Sequence, residues 1–405
     1  MLLTIKNTLE MRQMFENAIA ERIELLQTES AFLMLAKAQA LEAQGKHIVH
    51  MEIGQPDFKT PQHIIDAAYR AMNEGYTGYS PTLGFPEARQ SIAEYATKYK
   101  NIVTSKDEVV IVPGSKMMIF YTMLTLVNPG DEVVYPNPSF PIYESCIGFA
   151  GGVPVPYRLS AKNDFRVDID VFKSLITPKT KLVLISSPSN PTGGVFTRED
   201  ILAIADVLRD RPDIFILSDE IYDRLIFEGE LFSIASLPEF KDRTIIMDGF
   251  SKAYSMTGWR LGYGIMHPDV VKKMELLIVN STSCPASFTQ MAAIEALEAS
   301  QETVDAMRDA FKERRDYLAT ALNSIDGINC CMPKGAFYVF PDISSFGMSS
   351  AEFTARLLDE GGVAAASGAS FGAFGEGHIR LSYSTSLENV KLAVERIDKF
   401  TKTLK

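Results

Sequence analysis

Apolar residues recur along this chain in two spacings. From Val109 onward, short apolar runs alternate with stretches whose apolar residues return every three or four positions. Val109–Val112, Glu132–Tyr135, Val153–Pro156, Leu182–Ser186, Ile214–Ser218, Thr244–Gly249 and Tyr263–Met266 read as strands. Ser115–Val127 and Arg198–Arg209 read as helices between them. This alternation predicts an α/β fold with a mostly parallel sheet covered by helices on both faces. After Pro268 the pattern turns helix-rich. A long charged helix runs from about Gln301 to Asn323. Strands follow near Ile328–Met332 and Ala336–Phe340, then a helix at Ala351–Glu360, a strand at Ile379–Tyr383 and a final helix from Leu387. That region predicts a second, smaller α+β domain. No internal repeat, low-complexity tract or flexible linker interrupts the chain.

The first 28 residues form a separate expectation. Leu9, Met11, Met14, Phe15 and Ile19 approximate helical spacing and predict an amphipathic helix in an N-terminal extension over residues 1–28. Glu10, Arg12, Glu16, Glu21, Arg22 and Glu24 break up the apolar core a signal peptide needs. No run reaches the ~18 apolar residues of a membrane span, and Met117–Val127 reads as a buried helix. The expected division is a small α+β domain from residues 29–75 and 300–405, and a large α/β domain over 76–299.

Composition narrows the function. The 405 residues are 46% hydrophobic, enough for a sizeable core. A formal net charge of -11 argues against nucleic acid or a membrane surface as partner, although a local basic pocket can still hold one phosphate. Cys146, Cys284, Cys330 and Cys331 show no framework spacing, which favours a reducing cytoplasm. The histidines at 47, 50, 63, 267 and 378 match no metal spacing, so no metal site is expected.

The richest stretch chemically is Gly249-Phe250-Ser251-Lys252-Ala253-Tyr254-Ser255-Met256-Thr257-Gly258-Trp259-Arg260-Leu261-Gly262. It places Lys252 just after a strand and Arg260 eight positions later. A lysine among small residues at a strand end can form a Schiff base with an aldehyde, and an arginine nearby can neutralise a phosphate. Pyridoxal 5'-phosphate (PLP) carries both groups. The alternative for a lone lysine is a surface position in a Gly/Ser loop.

Four constellations agree with the lysine. Val112-Pro113-Gly114-Ser115-Lys116 ends a strand and opens a helix, where free N–H groups bind phosphate; an ordinary helix cap is the alternative. Asn190, in a proline-flanked loop, can donate its amide to the phenolic oxygen of the cofactor; a simple turn competes with that reading. Asp219, at the end of its strand, can keep the pyridine nitrogen protonated, with Tyr222 three residues on; helix capping is the competing role. Arg380 sits inside an apolar strand and is costly to bury without an anion, which a substrate carboxylate or a structural Asp or Glu can supply.

Together these residues resemble the class I and II aminotransferases, the aspartate-aminotransferase-like enzymes of PLP fold type I. The resemblance runs from about Glu29 to the last helix. It includes Gly54-Gln55-Pro56-Asp57-Phe58, Gly78-Tyr79-Ser80-Pro81, Asn128-Pro129-Gly130-Asp131, Pro136-Asn137-Pro138-Ser139-Phe140 and Gly335-Ala336-Phe337-Tyr338. It implies that Lys252 carries the cofactor as an aldimine and shuttles the proton. It implies that Asp219 pairs with the pyridine nitrogen, that Asn190 and Tyr222 contact the phenolic oxygen, and that Phe140 stacks on the ring. Gly114, Ser115 and Arg260 are implied at the phosphate, with Lys116 nearby. Arg380 is implied at the substrate carboxylate, and Gly54 over the substrate.

By the same resemblance Tyr79 reaches the phosphate of a partner subunit, making a homodimer with shared active sites. Gly249 stands where some relatives place a phosphate-binding serine, so Ser251 or backbone groups are expected to take that contact. No residue is assigned to a second, side-chain carboxylate. The implied reaction moves an amino group between an L-amino acid and a 2-oxo acid. A C–S β-lyase on the same fold would keep all these residues. A PLP-binding regulatory module would need a DNA-binding region, and the N-terminal extension is too short and acidic for one.

Overall fold

The computed structural model describes residues 18–404. The predicted helix around Leu9, Met11, Met14 and Phe15 lies outside the described residues. Ile19 is exposed, and the first regular turn is a 3-10 helix at Glu21–Leu25.

In chain order the strands are β1 (Val49–His50), β2 (Val109–Val112), β3 (Glu132–Asn137), β4 (Val153–Arg158), β5 (Thr180–Ser186), β6 (Phe215–Asp219), β7 (Thr244–Gly249), β8 (Gly262–Ile265), β9 (Tyr338–Val339), β10 (Val363–Ala364), β11 (Ala366–Ser367) and β12 (Ile379–Ser382). A seven-stranded sheet has the order β2-β8-β7-β6-β5-β3-β4. Only β8 runs against the others.

Every residue of β2, β7 and β8 is buried, as expected of strands covered on both faces. β4 carries Pro154 and Pro156 and lies at an edge, where missing N–H donors cost nothing. β3 carries Pro136 inside the sheet, but its pairing with β5 ends at Val134, so no ladder bond is lost on that side.

This topology places the chemistry. The parallel strands β2, β5, β6 and β7 all end at one edge of the sheet, and the loops after them carry the candidate residues. Because β8 is antiparallel, its start lies at that same edge, and Arg260 stands two residues before it.

The smaller unit has an antiparallel sheet β11-β12-β9 and a parallel pair β1-β10, packed with the helices Glu302–Asn323 and Leu387–Lys402. Its core includes Phe311, Phe337, Phe353, Ile379, Leu381 and Ile397. Side chains alternate along β12, so Ile379 and Leu381 enter that core while Arg380 takes the other face. Helix Gln62–Asn73 was expected with the smaller unit. Its Ile64 and Ala68 instead join the core of Pro86–Lys100 and Ser287–Glu298 in the large unit.

Two expected elements differ. No strand forms over Ile328–Met332; only an isolated bridge joins Asn329 to Asp342. The Asn323 amide explains this. Its Oδ1 accepts from the Cys330 N–H at 2.8 Å and its Nδ2 donates to the Cys330 carbonyl at 2.8 Å, replacing ladder bonds. The helix expected at Ala351–Glu360 is α-helical over Ser350–Arg356 and widens to a π-turn over Leu357–Gly361.

Candidate active site

A cavity of about 570 Å3 opens at the strand-end edge. Gly54, Ser115, Lys116, Phe140, Asn190, Asp219, Tyr222, Ser251, Lys252, Arg260 and Arg380 all line it. Eleven of the residues singled out in sequence thus converge, from segments up to some three hundred positions apart.

Lys252 follows β7 by three residues. Its Nζ donates to the Gly54 carbonyl at 2.6 Å. The Phe337 and Tyr222 rings lie 5.6 and 6.0 Å from it. Burial lowers its pKa to about 8, helped by the positive charges of Arg380, Lys116 and Arg260 and opposed by the Glu29 carboxylate. A neutral amine is therefore accessible near neutral pH, as a nucleophile or proton acceptor requires.

Asp219 ends β6 and is buried. Its carboxylate accepts a short hydrogen bond from the Tyr143 hydroxyl and one from the Ile221 N–H at 3.2 Å. Burial raises its pKa to about 6, opposed by those two donors. A cation beside it would therefore be well compensated. Arg380 is 4% exposed. Its Nη1 donates to Asn190 Oδ1 at 3.0 Å, its Nη2 donates to the Glu52 carbonyl, and its Nε has no partner. Tyr338 and Phe371 flank the guanidinium at 4.6 and 4.8 Å. The structural Asp or Glu left open in sequence does not face it among the described residues.

The remaining groups form an anion cradle. Ser115 stands at the N-terminus of helix Lys116–Leu126 but does not cap it; its Oγ donates to the Asp248 carbonyl at 2.8 Å. No side chain caps the helix N-terminus, which lies beside the cavity, although the Met117 and Met118 N–H groups bond back to the Gly114 and Ser115 carbonyls. Gly114 has φ +92, and a Cβ there would fall 2.0 Å from Arg260 Nη2, so the guanidinium lies directly against that turn. A Cβ at Gly249 would fall 2.3 Å from Ser115 Oγ, which explains why no serine stands at 249.

Residues 46–397 match the family described as "Aminotransferase class I and II". The chain belongs to the class I and II aminotransferases. It is 39% identical to an aspartate aminotransferase of Bacillus sp. (strain YM-2), over 95% of this chain and 99% of that one. It is 38% identical to aromatic-amino-acid aminotransferase 2 of Thermococcus litoralis, over 96% and 99% of the two chains. A Thermus thermophilus aspartate aminotransferase double mutant superposes with a TM-score of 0.90 at 36% identity, covering 94% of this chain and 99% of that one.

This aminotransferase is PLP-dependent, and the cavity fits that cofactor. It offers an amine of lowered pKa, an uncapped helix N-terminus with an arginine for a phosphate, and a buried carboxylate for a ring nitrogen.

Three placements depart from simple expectation. The Tyr222 hydroxyl bonds the Tyr338 hydroxyl at 2.8 Å, so it is shared before any ligand arrives. The Lys116 ammonium pairs with Glu29. Tyr79 is 93% exposed and does not line the cavity. Sequence reasoning missed Tyr143, Glu29 and Lys100. The Lys100 side chain is fully buried behind the site, with its Nζ 3.0 Å from Glu220 and Asp223 and 2.8 Å from Asp248. No motif marks these three residues. Tyr338 stood within a quoted segment, but without a role.

Proposed function

We propose that this aminotransferase moves an amino group between an L-amino acid and a 2-oxo acid, with Lys252 as the working amine and Arg380 as the carboxylate clamp. One observation carries this reading. A lysine of lowered pKa and a buried guanidinium without a carboxylate share one cavity. PLP supplies an aldehyde that takes up the amino group and a ring that delocalises the electron pair left when the Cα–H bond breaks.

The chain supplies the rest. Arg380 orients the substrate by two parallel hydrogen bonds to its α-carboxylate, with Asn190 steering the guanidinium. Lys252 Nζ, which donates to the Gly54 carbonyl, would take the α-proton of the bound amino acid and hold it for return. Asp219, held by Tyr143, would pair with the ring nitrogen of the cofactor. Tyr222 and Asn190 would serve its phenolic oxygen, and Phe140 would lie against its ring. The helix N-terminus at Gly114–Lys116, with Ser251 and Arg260, would hold its phosphate.

Two further parts of the proposal concern assembly and location. Tyr79 completes the phosphate site of a partner subunit in a homodimer; its 93% exposure supports a position that a second copy covers. The four free cysteines support a reducing cytoplasm. Among the described residues no helix is long and apolar enough to cross a membrane. A screen of L-amino acids against several 2-oxo acids tests the reaction. Stoichiometric amino-group transfer is expected; release of pyruvate and thiol without an acceptor would contradict it.

A further inference from the structure

Charges in the cavity do not all have a task. Four cationic side chains line it, Lys116, Lys252, Arg260 and Arg380, against two carboxylates, Glu29 and Asp219. In the proposed reaction Lys252, Arg260, Arg380 and Asp219 are committed. The remainder is one cation and one anion, and they are paired: the Lys116 ammonium contacts Glu29 Oε1.

Beyond this pair, the Glu29 charge acts on Lys252, whose pKa it raises against the lowering by burial. Glu29 is the N-cap residue of helix Ser30–Glu42, yet its side chain makes no capping hydrogen bond. Its carboxylate is turned to the cavity instead, with a side chain 22% exposed. Lys116 also lies 5.3 Å from the Phe140 ring centroid, so the pair borders an aromatic face. Ile53 also lines the cavity.

We propose that Glu29 is a specificity-determining residue that neutralises Lys116 and sets the substrate side-chain subsite for uncharged side chains over carboxylates. This rests on the reading of Arg380 as the α-carboxylate clamp, because the side chain must then point elsewhere in the cavity. Lys116 is the cation left to receive a second carboxylate there. An acidic side chain reaching it would displace Glu29 and meet like charge at short range. An uncharged side chain rests on Ile53 with the Glu29–Lys116 pair intact. Selection is thus made by a repulsive group as well as by apolar contact.

The test compares the holoenzyme with Glu29→Gln. Two readouts are used: relative kcat/KM for aspartate and for leucine, and binding of unreactive succinate against butyrate, followed by titration calorimetry. Removing the charge is expected to raise the aspartate-to-leucine and succinate-to-butyrate ratios by about tenfold each. Native enzyme preferring aspartate, or ratios unchanged in Glu29→Gln, would overturn the proposal. Absence of transamination with every amino acid would instead sink the proposed reaction, and the succinate and butyrate titrations would still decide the role of Glu29.

Discussion

Arg380 Nη1 donates to Asn190 Oδ1 at 3.0 Å, and this bond joins the small unit to the large one across the cavity. Arg380 comes from β12 and Asn190 from the loop after β5. The bond aims the guanidinium while leaving Nε without a partner. Arg380→Ala should therefore weaken amino-acid and oxo-acid use while PLP stays bound. Loss of a desolvated charge-assisted pair should cost about 2–5 kcal/mol in kcat/KM. Arg380→Lys should not restore it, because one ammonium cannot reproduce the planar fork. An unchanged kcat/KM would make Arg380 structural.

The pKa of Lys252 should be measurable in cofactor-free protein. Its pKa of about 8 lies below the ordinary lysine value, so the ammonium dominates below pH 8 and the neutral amine above it. Only the neutral amine attacks an aldehyde. The rate of PLP uptake should rise with pH and level off above about 8 to 9. Arg380→Ala removes a positive charge that contributes to the lowering, so the midpoint should move up. A midpoint near 10.4, the usual lysine value, in native protein would contradict this account.

Asp219→Asn should keep the fold and bind PLP. A neutral amide cannot hold a protonated ring nitrogen, so α-proton exchange should fall by about a hundredfold or more. Near-native exchange followed by NMR would remove Asp219 from that role.

Much of this was legible in sequence, for definite reasons. Within β7, Ile245-Ile246-Met247 is an apolar run buried on both faces, and such runs announce a central strand. Asp219 ends its strand, and Lys252 and Asn190 follow theirs, in a topology that sends all three to one edge. What sequence did not show lies in pairings between distant segments. Tyr143 finds Asp219 across 76 positions, Lys116 finds Glu29 across 87, and Lys100 finds Glu220 across 120. Cys330 was misread for a related reason: one asparagine side chain replaces the strand partner that periodicity presupposes.

Lys100 gives a stability prediction. Its ammonium faces Glu220, Asp223 and Asp248 with no water-exposed surface. Lys100→Met leaves those carboxylates uncompensated and should destabilise the protein by about 3–5 kcal/mol. Urea unfolding should show a lower midpoint with an unchanged slope. A shift within experimental scatter would mean that the carboxylates protonate or rehydrate without cost.

Shared sites have their own test. Lys252→Ala and Tyr79→Ala proteins are mixed and allowed to exchange subunits. If Tyr79 serves the neighbouring site, the hybrid has one doubly defective site and one native site, and activity reappears. Confirmed exchange without recovery would assign Tyr79 to its own chain.

The central claim is that Lys252 is the amine that holds the cofactor. Borohydride reduction of the holoenzyme, followed by peptide mapping, reads this directly. The modified residue should be Lys252, within the peptide that spans Gly249–Gly262, and Lys252→Ala should retain no label after reduction. Cofactor fixed to any other lysine would contradict the account.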